Sequence, residues 1–365
     1  MSGAKRRSFY NYYEKVCLVK LQPMSSRLKA LFYYITARLL LAPIMLWAIA
    51  TVVFLLMRAT PGDPIDAILG PRAPEEVKVA LREQVGLTGS IFSQYWQYLQ
   101  DLSRFNLGKS ISTREQTVWQ IIKNFFPATA ELAMYALIVA LVVGLTVGIV
   151  AALRPNTKWD VGGRLFGIIT YSLPLFWVGM ILQLVFSVQL GWLPIGTRFP
   201  ASAEPPVKIL GLYTIDALIN GDWQSLWTSI QYLILPATSL GIVISGIFER
   251  IVRVNLRQTL QSDYVEAAKA RGINSTAILF NHALKNAMIP VITILGLTLA
   301  SMLGGAVLTE VTFSWPGLAN RLFEAISGRD YPVVQGIVVF FAIIVTIASI
   351  LVDIINAWID PRIRY

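Results

Sequence analysis

Residues 129–153 read TAELAMYALIVALVVGLTVGIVAAL. Beyond Glu131 this run holds no Asp, Glu, Lys, Arg or His as far as Leu153. A bilayer core of about 30 Å needs about 20 apolar helical residues to cross it, since helices satisfy their own backbone hydrogen bonds in lipid. The stretch meets that length. Five others do as well: Ala37–Met57, Leu165–Leu190, Ser229–Phe248, Met288–Val311 and Pro332–Trp358. The expected fold class is therefore all-α, a polytopic membrane protein with six transmembrane helices.

Composition agrees. Of 365 residues, 55% are hydrophobic and only 14% charged, with a mean hydropathy of +0.59. A soluble chain carries about 25% charged residues. An ordinary soluble enzyme, a disordered chain and a disulfide scaffold are excluded on that ground. Cys17 is the only cysteine, so the chain has no internal disulfide and no thiolate cluster.

The net charge of +10 has a topological reading. Three segments share one side when six spans alternate: residues 1–36, 154–164 and 249–287. Together with Arg38 and the C-terminal tail they hold 19 of the 31 Lys and Arg and 6 of the 21 acids; the segments on the other side hold 12 of each. Basic loops stay inside. Both termini are expected to be cytoplasmic, and no nucleic-acid partner is needed to explain the charge. The expected organisation is a basic cytoplasmic extension (1–36), a first transmembrane helix (37–57), an external segment (58–128) and a core (129–365) with five more spans and the cytoplasmic loop 249–287. In the external segment, residues 74–86 carry helix start and stop signals, and the aromatic stretch 92–99 is suited to a membrane interface.

The spans are notable for what they lack. No ionisable group sits near mid-span, where ion-driven carriers commonly place one. A secondary carrier, the alternative reading, is disfavoured for that reason. Three acids, Glu131, Glu310 and Asp353, lie near span ends and are expected to reach water. Gly144/Gly148 and Ala300/Gly304 are small-xxx-small pairs that permit close helix contact. Pro174 and Pro236 are expected to kink spans three and four.

No catalytic site is legible. LGKS at 107–110 lacks the glycine that a phosphate loop needs at position 103, where Ser103 stands. His282 is the only histidine, so no histidine-rich metal centre is possible. No GxSxG is present.

The informative segment is DYVEAAKARG, residues 263–272. Asp263 and Glu266 read as a helix N-cap and its N3 partner. Gly272 is placed to end the helix in a left-handed conformation. Asn274 or Ser275 can start a second helix that runs toward Pro290. Ala267, Ala268 and Ala270 give the short helix a small, flat face, rimmed by Glu266, Lys269 and Arg271. A charged rim round a small apolar centre suits docking.

This stretch resembles the EAA-xxx-G motif of ABC-importer permeases. Glu266, Ala267, Ala268 and Gly272 carry the likeness. With HALKNAMIP (282–290), RATPGDP (58–64), NLGKS (106–110), LGWLP (190–194) and DPRIR (360–364), the chain is similar to B-type subunits of the dipeptide/oligopeptide/nickel permease family over about residues 30–365. Two departures stand out. Lys285 occupies a position where the general motif has proline, and Asn106 replaces an aspartate. Residues 1–30 exceed the usual family start, and Met24 is a candidate alternative start.

The resemblance implies a type I importer fold and a permease that is not itself an enzyme. It binds no cofactor of its own; ATP and Mg belong to partner ATPases. The implied partners are a second permease in a heterodimer, two ATPase subunits, an external solute-binding protein and the lipid bilayer of the cell (inner) membrane. Asp263, Tyr264, Glu266, Ala267, Ala268, Ala270, Arg271 and Gly272 are the implied ATPase-coupling residues, and no substrate-binding, catalytic or metal-binding residue is assigned.

Overall fold

The computed structural model describes residues 24–70, 72–84, 87–113 and 116–359. The basic tail up to Pro23, with Cys17, and the terminal DPRIR motif lie outside the described residues.

The chain is helical. It runs α1 (Met24–Ala59), α2 (Pro64–Leu69), α3 (Glu75–Gln84), α4 (Ile91–Ser103), α5 (Val118–Leu153), α6 (Lys158–Ser172), α7 (Leu175–Leu182, continued by a π-helical turn Gln183–Gln189), α8 (Tyr213–Asn220) and α9 (Trp223–Leu260). It continues through α10 (Asp263–Ala270), α11 (Ser275–Ala277), a π turn Ile278–Ala283, α12 (Leu284–Ala287), α13 (Ile289–Thr312), α14 (Leu318–Ser327) and α15 (Tyr331–Ile359).

Among the described residues, five helices are long and apolar enough to cross a membrane: α1, α5, α9, α13 and α15. The sixth expected span is a bent pair. α6 and α7 meet at 102° around Leu173 and Pro174. The sequence predicts a kink here; the structure shows a break. The residue before a proline is pushed out of the helical region, and Leu173 is extended at φ −78°, ψ 132°. Pro174 also lacks the N–H that would bridge the gap. Pro236 behaves differently. α9 passes through it as one helix of 38 residues, with Pro236 buried.

Two spans exceed their predicted limits. α5 begins at Val118, capped by a reciprocal box in which Thr117 Oγ1 accepts from Gln120 N and Gln120 Oε1 accepts from Thr117 N. α9 extends to Leu260, so residues 249–260 are helix, not loop. Local hydropathy marks only the lipid-crossing part of such helices.

α5 and α9 form the most extensive helix contact. Its geometry follows from small residues every fourth position on α5. Ala136, Ala140, Gly144, Gly148 and Ala152 are all buried. A Cβ on Gly144 would lie 2.6 Å from the Ser245 carbonyl oxygen, and one on Gly148 would lie 2.8 Å from that of Glu249. From the other side, a Cβ on Gly241 would lie 2.7 Å from the Ala136 oxygen. Backbones this close gain dispersion contacts that larger side chains would prevent. Leu233, Ala237, Leu240, Ile244, Phe248 and Val252 complete the seam from α9. Ala300/Gly304 makes no such contact. A Cβ on Gly304 would meet nothing within 4 Å, whereas one on neighbouring Gly305 would approach Leu240 and Leu175.

The acids near span ends were expected to reach water. Two do not. Glu131 is 1% exposed and Glu310 is fully buried. Glu131 Oε2 accepts from Arg198 Nε (3.0 Å) and Nη2 (2.5 Å), and its Oε1 accepts from Thr214 N (2.8 Å) and Oγ1 (2.6 Å). Arg198 also donates to the Gly211 carbonyl and stacks 3.7 Å over the Tyr213 ring. These bonds fasten loop 190–222 to α5. Glu310 accepts from Thr129 Oγ1 (2.5 Å) and from Asn320 N (2.6 Å), while Thr129 Oγ1 accepts from Leu318 N (2.8 Å). A Cβ on Gly317 would lie 2.1 Å from Glu310 Oε1, so any side chain there would displace the Glu310 carboxylate.

A third carboxylate, Asp330, binds the NLGKS turn. It accepts from Ser110 Oγ, Ile111 N, Ser112 N and Ser112 Oγ at 2.5–3.1 Å. Ser110 thus has a structural task, in keeping with the absence of a phosphate loop. The third span-end acid, Asp353, pairs with Arg38 at 3.1 Å.

The short helices α2 and α3 are joined by ion pairs. Lys78 meets Asp66 at 2.7 Å and Arg82 meets Asp63, the N-cap of α2. Burial works to raise the Asp63 carboxyl, but the bonds from Arg82 and Ile65 N hold it below its ordinary value. The N-cap of α3 is Pro74, one residue earlier than a first-turn proline, and Gly86 lies outside the described residues. On α4, Tyr95 and Tyr98 pack on Phe54 of α1, while Phe92 and Trp96 are exposed as an interfacial role requires.

Two outcomes follow. Gly148→Leu forces α5 and α9 apart and lowers stability by about 1–3 kcal/mol or more, read as a fall in the melting temperature in detergent. Arg198→Met leaves Glu131 buried and unpaired, which costs about 3–5 kcal/mol. Arg198→Met with Glu131→Gln recovers part of that loss in the same assay.

Candidate functional site

The end of the bundle where α5 finishes carries the 263–272 segment. Ala152 of α5, Leu256 of α9, Ala283 and Ala287 pack together there. Beyond them the chain turns at Gln261 and Ser262 into α10. The N-cap is Ser262 (φ −80°, ψ 151°), one residue earlier than predicted, and Asp263 is the first helical residue. No side-chain capping bond forms at this end, so the Asp263–Glu266 box is absent. Asp263 and Glu266 still lie in the first turn, where negative charge suits the helix dipole.

The other end of α10 forms as predicted. Gly272 has φ +73°. Its N–H donates to the Lys269 carbonyl (2.9 Å), and Ile273 N–H donates to the Ala268 carbonyl (3.2 Å). That pair of bonds is a Schellman ending, which needs a left-handed residue at C′. A Cβ on Gly272 would meet nothing within 4 Å. The requirement for glycine is therefore conformational, not steric crowding. Asn274 then caps α11 through a bond from Thr276 N (3.0 Å).

The face of α10 differs from expectation in one respect. Val265 and Ala268 are buried against Ile278. Ala268 therefore belongs to the inward face, because the 3.6-residue period places it one turn from Val265. Ala267 and Ala270 remain exposed, with Asp263, Glu266, Lys269 and Arg271 around them. Tyr264 is 44% exposed, and its hydroxyl accepts a bond from Asn286 Nδ2 (2.8 Å) on α12. Tyr264, Asn281, His282, Lys285 and Asn286 line a shallow cavity of about 330 Å³ beside the helix. All eight predicted residues thus fall on α10 and the turn that closes it; Ala268 is buried, Tyr264 is exposed but bonded to Asn286, and the other six are exposed.

The sequence reading missed Val265. Its signal is visible in retrospect: it is the one branched apolar residue in an otherwise polar and alanine-rich turn. It also missed the charged cluster between α6 and α9. Glu249, fully buried, accepts from Arg253 Nε (2.7 Å), and Asp160 is bonded by Arg164 (3.2 Å) with Arg257 at 3.8 Å. Gly163 and Gly167 of α6 leave room for the Glu249 carboxylate. The Arg257–Asp160 contact and the Glu249 carboxylate seated against Gly163 and Gly167 join α6 to α9. Among the described residues no group of three or more His, Cys, Asp or Glu could hold a metal ion.

Residues 144–365 match the family described as binding-protein-dependent transport system inner membrane component, and residues 31–133 match its N-terminal region. The dipeptide transport system permease protein DppB of Alkalihalophilus pseudofirmus is 37% identical over 92% of this chain and 100% of its own length. The di/tripeptide transport system permease protein DppB of Pseudomonas aeruginosa is 38% identical over 87% and 95%. The glutathione transport system permease protein GsiC of Escherichia coli O6:H1 is 33% identical over 91% and 99%. The chain belongs to the family of inner-membrane components of binding-protein-dependent transport systems. It is a multi-span permease subunit of an ABC importer.

The left-handed turn is testable directly. Gly272→Leu strains it by about 1–2 kcal/mol, whereas Gly272→Asn strains it less. Hydrogen exchange over residues 263–273 is expected to be faster in the leucine variant; equal protection in both would show that the turn does not depend on this residue.

Proposed function

We propose that this chain forms half of the translocation pathway of a peptide importer and takes its driving force through α10. The supporting observation is the build of that helix. It is held to the bundle by Val265, Ala268 and the Tyr264–Asn286 bond, is closed by a Schellman turn at Gly272, and presents Ala267 and Ala270 within a charged rim. Small residues let a partner approach closely, and the rim charges supply orientation.

The partner of that face is one of two ATPase subunits, which hold ATP and Mg; this chain itself is not a catalyst and holds no cofactor. Asp263, Tyr264, Glu266, Ala267, Ala270, Arg271 and Gly272 form the coupling surface, and Ala268 supports it from within. When nucleotide draws the ATPases together, α10 moves with its ATPase. The rigid link through α9 and α11–α13 carries that motion into the spans, a rigid-body transition between two packings. A second permease of similar fold completes the pathway, and an external solute-binding protein delivers the cargo. α10 and both termini lie on the cytoplasmic side and segments 58–117 and 190–222 outside, a reading that the basic segments support. The cargo class is short peptides, as the names of the dipeptide, di/tripeptide and glutathione relatives support.

Uptake of a labelled dipeptide by the reconstituted complex tests this. Ala267→Trp fills the exposed small face without entering the bundle. It should keep the melting temperature of the parent, lose association with the ATPase pair and reduce ATP-driven uptake by about tenfold or more, the effect of losing about 1.4 kcal/mol of docking or more. Gly272→Leu should also lose coupled uptake. Unchanged uptake by both variants would overturn the reading.

A further inference from the structure

At the end of the bundle opposite α10, a cavity of about 520 Å³ opens between α4, the 106–111 turn and the first two turns of α15. That volume falls in the range of small-molecule sites, roughly 300–1,000 Å³. The carboxylate latches and the coupling helix leave it unexplained.

Its walls carry both signs of charge. Arg58 and Lys109 are the cations; Glu83 and Asp101 are the anions. Arg58 is held in place. It lies 3.4 Å over the Phe54 ring and donates Nε to Gln94 Oε1 (3.1 Å). A guanidinium fixed in this way has further donors in a planar fork, the geometry that receives a carboxylate. Two carboxylates in the same walls disfavour a polyanion such as inorganic phosphate and provide for an ammonium group.

The cavity also holds polar atoms with no protein partner. Gln335, on the second turn of α15, is 6% exposed, and its Nε2 amide makes no hydrogen bond among the described residues. The Tyr98 hydroxyl is likewise buried and without a partner among them. Burial pushes the Tyr98 hydroxyl well above its ordinary value, so it stays a donor. Buried polar groups in folded proteins are almost always satisfied, and an unmatched donor is costly. Both donors call for an acceptor such as a peptide carbonyl.

We propose that this cavity binds a short peptide with free termini, its carboxylate on Arg58, its ammonium toward Asp101 and Glu83, and a backbone carbonyl on Gln335. Its lining comes from the ends of α1 and α15, from α3 and α4 and from the 106–111 turn, and includes no residue of α5, α7, α9 or α13. The proposal stands apart from the transport reading, because binding here is measured without ATP and without uptake.

The test is calorimetric titration of trialanine into the full-length chain in phosphatidylglycerol nanodiscs, where no lipid amine competes. Saturable binding is expected. N-acetyl-trialanine amide, which lacks both charges, should bind at least about tenfold more weakly. Gln335→Leu and Glu83→Gln should each weaken trialanine binding by about fivefold or more. Gln335→Leu should also keep or raise the melting temperature, since it removes an unmatched amide; that separates a binding role from a structural one. No saturable binding to the parent chain, equal affinity for the capped peptide, or parental affinity in both variants would each overturn the proposal. Inorganic phosphate that competes with trialanine at millimolar concentration would also overturn it, by showing a simple anion site.

Discussion

A carboxylate shut away from water must find its counterpart inside the chain, and this constraint organises one end of the molecule. Glu131, Glu310 and Asp330 are each at most 1% exposed. Each uses its oxygens for a different connection: the 190–222 loop, the first turn of α14 and the NLGKS turn. An isolated buried charge costs several kcal/mol, so a loop that supplies hydrogen bonds to it is held in one place. Loops that would otherwise drift over the membrane surface are thereby made parts of a rigid cap. The bonds are to backbone N–H groups as well as side chains, which satisfies the loops' own polar atoms at the same time.

The spans beneath the cap are held by a different means. Between lipid-facing helices, apolar burial gives little preference for helix over lipid. The α5–α9 seam instead relies on backbone proximity at Gly144, Gly148 and Gly241. Close backbones make a stiff pair, and α9 continues from that pair straight to the turn before α10. Arg257 meeting Asp160, and the Glu249 carboxylate packed against Gly163 and Gly167, brace α6 against the same stretch. On the coupling role proposed for α10, that stretch would act as a stiff lever; the break at Leu173–Pro174 divides α6 from α7 and leaves the two halves at a steep angle. That division of stiff and broken elements fits the proposed change between two packings.

α10 is small for the task assigned to it, with eight helical residues. Isolated helices of that length do not persist in water. Its order comes from three local devices: the buried pair Val265 and Ala268, the Tyr264–Asn286 bond and the Gly272 ending. The same devices turn its remaining residues outward. Structure and exposure here have one cause.

The sequence by itself determined the helical class, the spans and the ending of α10. These depend on neighbours within a few residues: an apolar run of bilayer length, and a glycine where the backbone must turn left-handed. It also located the break at Pro174, since the residue before proline is restricted by local sterics, though not its 102° depth. Only the tertiary structure decided where the buried acids go. Glu131 meets Arg198 across 67 residues, Glu310 meets Thr129 across 181 and Asp330 meets Ser110 across 220. No periodicity links such positions, so an acid near a span end reads the same whether it faces water or a partner. For the same reason the alanines of α10 looked equivalent until packing turned Ala268 inward and left Ala267 and Ala270 exposed. Helical period fixes which residues share a face; only the neighbouring element decides which face is covered.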